Sequence, residues 1–286
     1  MTTLMAPPGG SDRSGDRDGR AAPGRDLAAP SPARVNNYLL GGREYFPVDR
    51  AAAEGALSAV PHGRGIAAAN RRFAARAARY MAAHGIAQFI DLGAGLLTRP
   101  SVHHVVRSVI PGARVLYVDN DPTVTAHNRR LLAGTPGVAA IRGDLREPHD
   151  LLASPQRARL IDLAQPTGLL LTSVLHFVPP EDDPGAAVRC LAGHLVPGSA
   201  VAVSHLSRDG TQTEVIAAFE HVFRHAAARV VFRTCDQIRD FFAGLDLVPP
   251  GLTAVTDWPG QTPGPVQFPA LQMLAGVARL LRPDPG

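Results

Sequence analysis

Three carboxylates and a pair of glycines in the middle of the chain are the residues best suited to hold a small ligand. Phe89-Ile90-Asp91-Leu92-Gly93-Ala94-Gly95 runs an apolar stretch into an acid and then a Gly-x-Gly bend. Glycine allows a tight turn and a close approach of backbone to ligand, and in doubly wound α/β proteins such a bend lies under a nucleotide-like molecule. The same bend can also be a plain strand-to-helix turn. A second apolar run, Val115 to Val118, ends in Asp119 with Asn120 beside it. A carboxylate there can accept hydrogen bonds from both hydroxyls of a ribose. A third run closes in Ile141-Arg142-Gly143-Asp144-Leu145. Asp144 can accept from an adenine amino group while the Leu145 backbone N–H reaches a ring nitrogen, or it is simply a turn or cap residue. Asp121, followed by Pro122, reads as a helix N-cap with proline at the first helical position.

Those residues share one crevice only if the runs before them are neighbouring parallel strands. Strands are predicted at Gln88–Leu92, Arg114–Val118, Ala139–Arg142, Gly168–Thr172 and Ser199–His205, each about the length of a buried parallel strand. Helical stretches fall between them near Ser101–Ile110, Pro122–Leu132, Leu151–Leu160 and Pro184–Leu195. Strands alternating with helices mean a mostly parallel sheet covered on both faces, an α/β doubly wound, Rossmann-like architecture. Ahead of it, a Ser-Pro start and a Gly41-Gly42 stop mark a short helix from Ser31. A second runs from Ile66 to His84, with Phe73, Ala77 and Tyr80 on one face and Arg72, Arg76 and Arg79 on a face expected to be solvated. After His205, helices are expected at Thr213–Arg224 and Cys235–Phe242, the latter with a Thr234/Gln237 capping box. A strand follows at Leu252–Thr256, then a Gly/Pro-rich loop holding Trp258, which walls a ligand site or packs the loop. The closing segment is Leu271–Leu280.

The chain has 286 residues and a mean hydropathy of +0.00, long enough for a large core and too evenly polar for a membrane protein. No run approaches the roughly 18 apolar residues of a spanning helix. The charge of +4 and pI near 9.7 come entirely from arginine, because the sequence has no lysine and its 29 basic residues are scattered. Scattered arginine argues against a nucleic-acid surface. Two cysteines, Cys190 and Cys235, make neither a disulfide framework nor a metal site, and a reducing cytoplasm is the expected compartment. Residues 1–30 pair four Arg with four Asp among Gly, Ser and Pro and contain no aromatic residue, so a disordered tail is expected there. Residues 31–286 are expected to form one domain, with a helical segment at 31–85 and the sheet core at 86–286.

Dinucleotide sites usually carry a third glycine that packs helix on strand. Here Gly93-Ala94-Gly95-Leu96-Leu97-Thr98 lacks it, which favours S-adenosylmethionine over NAD. The Asp-Leu-Gly-x-Gly bend with Asp119 and Asp144 resembles the class I, Rossmann-like methyltransferases that use that cofactor. More narrowly, Ser31-Pro-Ala-Arg-Val-Asn-Asn-Tyr-Leu-Leu-Gly-Gly-Arg43, Asp49-Arg50, Asn70-Arg71-Arg72-Phe73, Tyr117-Val-Asp-Asn-Asp-Pro122, Leu175-His-Phe-Val-Pro179 and Val196-Pro-Gly-Ser199 resemble an actinobacterial family. It was long called a domain of unknown function and is now named for S-adenosyl methyl transfer. The likeness spans about Ser31 to Leu280.

The resemblance implies a seven-stranded sheet whose last strand, the closing segment, is antiparallel. It implies Asp91, Gly93 and Gly95 along the methionine part of the cofactor, with Asp119 and Asn120 at the ribose and Asp144 and Leu145 at the adenine. Tyr38–Asp49 would fold over the crevice as a lid, or pack as a helix and loop. His176, after the fourth strand, faces the same crevice as a general base for the acceptor, as a wall, or as a partner of backbone; His205 is a weaker choice. No Asn-Pro-Pro-Tyr sequence follows the fourth strand, where Thr172-Ser173-Val174-Leu175 stands, and this favours a small-molecule acceptor over a nucleic-acid base. The expected function is methyl transfer, without a metal. A non-catalytic cofactor-binding regulator and an NAD-dependent oxidoreductase are the alternatives.

Overall fold

The computed structural model describes residues 29–224, 226–259, 268 and 270–281. The tail expected at residues 1–30 lies, apart from Ala29 and Pro30, outside them, as does most of the Gly/Pro-rich loop after Trp258.

Among the described residues three helices come first: α1 (Pro32–Leu39), α2 (Pro47–Ala59) and α3 (Gly63–Ala83). The alternating core follows with β1 (Gln88–Leu92), α4 (Val102–Arg107), β2 (Arg114–Asp119), α5 (Pro122–Leu131), β3 (Val138–Arg142), α6 (Pro148–Ala153), α7 (Pro155–Ala158) and β4 (Gly168–Thr172). It continues with α8 (Pro184–Gly193), β5 (Ala200–Ser207), α9 (Thr213–Val222), α10 (Cys235–Arg239), β6 (Asp246–Leu247), β7 (Thr253–Ala254) and β8 (Gln272–Arg279). β1, β2 and β4 are buried almost throughout because helices cover both faces of the sheet, which is why they read as unbroken apolar runs.

The sheet order is β3-β2-β1-β4-β5-β8-β6, with β7 also pairing β8. The first five strands are parallel, and the order reverses between β1 and β4. β8 returns antiparallel along all of β5, from Ala200 opposite Arg279 to Ser207 opposite Gln272. The mostly parallel sheet with an antiparallel closing strand therefore stands as expected, with eight strands among the described residues in place of seven. The strand expected at Leu252–Thr256 is reduced to two residues, and a second pair, Asp246–Leu247, joins the other end of β8. Pro249-Pro250 lies between the two pairs. Proline has no N–H to give a ladder, so a single strand cannot run through it.

Proline also divides the helix expected at Leu151–Leu160, where Pro155 separates α6 from α7. It delays α4 as well. The glycine bend does not open directly into a helix, because Pro100 disfavours helical backbone at Arg99, and α4 starts only after Ser101. α2 was not anticipated, since five of its thirteen residues are alanine and the rest make no pronounced apolar stripe.

The anchor of the N-terminal helices is Asp49, which is fully buried. It accepts from Ser31 N at 2.8 Å, Arg34 Nε at 2.6 Å and Phe46 N at 2.8 Å. Ser31 Oγ in turn donates to Asp121 at 3.0 Å, which ties α1 to the start of α5. The segment Tyr38–Asp49 thus ends in a packed, hydrogen-bonded helix start. On α3, Arg72 and Arg79 are exposed as expected, but Arg76 is not a solvated residue. Its guanidinium donates to the carbonyls of Trp258 and Val255 at 3.1 and 2.9 Å. Trp258 is buried edge-on against Phe73 and Tyr80, so it packs its loop onto α3 and does not line the ligand cavity.

Candidate functional site

At the C-terminal ends of the parallel strands lies a cavity of about 540 Å³, roofed by α1 and α3. Open α/β sheets bind ligands at this edge, next to the point where the strand order reverses, and the volume is within the usual range for small-molecule sites. Asp91, Gly93, Gly95, Asp119, Asn120, Asp144, Leu145 and His176 all line it. The carboxylates that the sequence put at the ends of three strands therefore share one hollow.

The glycine bend is built close. Gly93 has φ +67°, and a Cβ there would stand 2.2 Å from Val174 Cγ2, so neither the conformation nor the space admits a side chain. Gly95, at φ +59°, donates its N–H to Asp119 Oδ2 at 2.8 Å and gives its carbonyl to Asn128 Nδ2 at 2.8 Å. The bend is thereby held from β2 and α5 at once.

Asp119 spends its other oxygen on Asp121 N at 3.0 Å. Burial pushes its carboxyl up to about 6, against the pull of those two backbone donors. Each oxygen keeps a lone pair for a further donor. Asp91 is pushed up to about 7 by burial, opposed by the Arg71 charge and reinforced by Asp119. Among the described residues no hydrogen bond to the Asp91 carboxylate accompanies that shift. Asp144 accepts from Arg146 N and Nε, both at 3.0 Å, and from Asn120 Nδ2 at 3.3 Å, with the Arg146 guanidinium at 2.6 Å from its other oxygen. Burial raises its pKa, but the hydrogen bonds from Arg146 outweigh it and hold the carboxyl below its ordinary range. Asp144 is thus a turn residue and an ion-pair partner as well as part of the wall.

His176 sits in a single 3-10 turn, Leu175–Phe177, directly after β4. It is buried, with Nε2 3.5 Å from Ser173 Oγ and Nδ1 without a partner among the described residues. Burial, then His205 and Arg233, hold its pKa well below the ordinary imidazole value, so it is neutral. His205 stands edge-on behind it at 5.3 Å and does not line the cavity. Its Nδ1 lies 2.7 Å from Leu206 O and its Nε2 accepts from Arg233 at 2.8 Å, which fixes a neutral tautomer. Arg233 also donates to Leu175 O and Val178 O at 2.9 and 2.8 Å, clasping the turn that carries His176.

Sequence reasoning missed Arg71, Asn70, Ser173 and Arg233. Arg71 lines the cavity from α3, donates to the carbonyls of Thr98 and Pro100, and leaves Nε buried without a partner. Asn70 accepts Ser204 Oγ at 2.5 Å. A signal was present, because Asn70 falls one turn after buried Ile66 and before Phe73 and Ala74, a polar residue on an apolar helical stripe. Arg233 left no local signal, since its partners lie far away in sequence.

A doubly wound sheet with an antiparallel return, a close glycine bend after β1 and a carboxylate at the tip of β2 define a Rossmann-like protein of the class I methyltransferase type. The comparison with known proteins narrows this class. The chain belongs to the S-adenosyl methyltransferase family, whose sequence model matches residues 19–281. It is similar to a Thermobifida fusca YX protein provisionally described as a methyltransferase, with 33% identity and a TM-score of 0.83 over 91% of this chain and 98% of that one. It is equally similar to a DUF574 family protein from Streptomyces avermitilis MA-4680, with 33% identity and a TM-score of 0.84 over 89% and 98%. Among curated proteins none matches.

Proposed function

We propose that the chain transfers a methyl group from S-adenosylmethionine to a small-molecule acceptor. The observation that carries this reading is the convergence on one cavity of the close glycine bend, Asp119 with unused lone pairs, and an unpartnered Asp91. These residues fit the cofactor. Gly93 and Gly95 leave room for its methionine chain against the backbone, Asp119 and Asn120 take the ribose hydroxyls, and Asp144 and Leu145 border the adenine. Asp91 suits the ammonium group and Arg71 the carboxylate. Bound there, the cofactor supplies a methyl group on a sulfonium, an electrophile with a good leaving group. Alignment of donor and acceptor then supplies much of the rate, on the order of 7–11 kcal/mol in well-oriented systems. The neutral imidazole of His176 accepts a hydrogen bond from the acceptor and orients it. Its surroundings oppose an imidazolium, so it is a better orienting group than a proton store. Two free thiols, Cys190 and Cys235, accord with work in a reducing cytoplasm.

Titration calorimetry with S-adenosylmethionine and S-adenosylhomocysteine tests the cofactor, and the reading is abandoned if neither binds. Metabolite profiling with methyl-labelled cofactor tests turnover. The suppressed basicity of His176 keeps a second reading in view, a regulator that binds the cofactor without turnover, and any methylated product removes it.

A further inference from the structure

We propose that the part of the cavity beyond the cofactor cradle accepts an uncharged, ring-bearing molecule that presents a single protic group to Asn70, Ser173 and His176. The inference rests on the cofactor reading above and names the acceptor class for that same site.

Charge is distributed unevenly along the cavity. Asp91, Asp119, Asp121, Asp144, Arg71 and Arg146 are all gathered at the cradle. The wall made by Ile66, Phe177, Phe219, Phe223, Val230 and Met273 holds no ionised group. The two remaining arginines of the lining, Arg224 and Arg229, are exposed, and Arg229 lies 3.7 Å from Glu181. A carboxylate, phosphate or ammonium drawn against that wall would lose its water and find no counter-ion among those six residues, the two arginines being solvent-exposed.

The chamber is also aromatic. Phe223 is buried, with the Phe177 ring 6.0 Å and the Phe219 ring 6.1 Å from it, and those two rings are only half-buried. Half-covered phenylalanine faces beside an open volume favour a ring stacked or set edge-on against them.

Beside that wall Asn70, Ser173 and His176 supply polar groups. The Ser173 N–H is held by Ser204 O at 3.1 Å and Ser204 Oγ at 2.9 Å, which fixes the residue in a left-handed conformation at φ 60° with its hydroxyl beside His176. Ser204 Oγ also orients the Asn70 amide through its oxygen, so that the amide nitrogen remains as a donor. A hydroxyl or ring N–H at the end of an apolar body satisfies this cluster, and a molecule polar all round does not. Transfer forms the bond from that heteroatom to the methyl carbon while the carbon–sulfur bond breaks with its electron pair on sulfur. The heteroatom's proton leaves to water.

The test titrates the protein with 2-naphthol and with 2-naphthoate, which share a ring system and differ in charge, in the presence and absence of S-adenosylhomocysteine. Calorimetry is expected to give one site for 2-naphthol and at least tenfold weaker binding of 2-naphthoate. Phe219→Ala, and separately Phe177→Leu, should weaken 2-naphthol at least fivefold while the affinity for S-adenosylhomocysteine is unchanged and each variant still unfolds cooperatively. Naphthoate binding as tightly as naphthol overturns the proposal. So does absence of naphthol binding by a protein that binds S-adenosylhomocysteine, or indifference to both variants. If S-adenosylhomocysteine itself fails to bind, the cofactor reading falls, and the naphthol titrations of the unloaded protein still decide the character of the chamber.

Discussion

Asp119 has one oxygen on the Gly95 N–H and the other on the Asp121 N–H, so its carboxylate is aimed before any ligand arrives. Replacing it with alanine is expected to weaken S-adenosylmethionine binding by about 1.5–3 kcal/mol, the scale of charge-assisted hydrogen bonds. Calorimetry on Asp119→Ala checks this, and unchanged affinity would place the ribose elsewhere. Asp91 gives a prediction of opposite character. Its folded pKa is about 7, against an ordinary value of 3.8, so the folded state holds a proton that the unfolded chain gives up between those limits. Stability contributed by this group is present below about pH 4 and is lost as the pH rises through about 7. Asp91→Asn, which cannot ionise, should therefore gain stability relative to the parent by about 2–4 kcal/mol between pH 4 and pH 8. Urea unfolding at several pH values measures it, and a flat difference would contradict it. Both acids were legible in the sequence because each ends an apolar run, and a strand end is a fixed place. Arg71 and Arg233 were not, because what gives each its role is a set of backbone carbonyls brought to it by the tertiary fold.

Among the elements, the seating of α1 and α2 on the core depends on Asp49 and Arg34, both buried and 2.6 Å apart. Truncating Asp49 takes the nearest partner from buried Arg34, which keeps the Asp121 carboxylate at 3.5 Å, and removes the acceptor of the Ser31 and Phe46 N–H groups, at a cost of about 3–5 kcal/mol. Asp49→Ala should therefore lower the unfolding free energy by that amount, and Asp49→Asn, which keeps an acceptor for those N–H groups, by less. Hydrogen exchange along Pro32–Leu39 should quicken in Asp49→Ala and less in Asp49→Asn. The elements read correctly from sequence were those with punctuation, such as Asp121-Pro122 before α5 and Thr234 with Gln237 at α10. The misread ones fall where proline cuts a pattern or where alanine erases it. The expected helix through Pro155 was divided, the strand expected at Leu252–Thr256 was shortened to Thr253–Ala254, and α2 left no apolar stripe to read.

For the whole molecule, the parallel order of five strands followed from the alternation of strand and helix, whereas the antiparallel return of β8 came only from the family resemblance. Periodicity alone does not distinguish an apolar closing strand from a closing helix. A ligand that binds the folded chain alone raises its stability by mass action, by about 2.7 kcal/mol at a hundredfold excess over Kd. For a domain near this size that corresponds to a rise in Tm of about 5–10 °C. S-adenosylhomocysteine should produce such a rise and NAD at the same concentration none. The reverse ranking would return the chain to the dinucleotide-binding proteins.

Trp258 is the only tryptophan in the sequence, and its indole lies dry against Phe73 and Tyr80 on the same helix whose earlier turns present Asn70 and Arg71 to the cavity. The protein consequently carries its own optical gauge. Excited near 295 nm, one buried fluorophore emits alone, and any tilt of that helix as the hollow fills changes its colour and yield without a label having been attached.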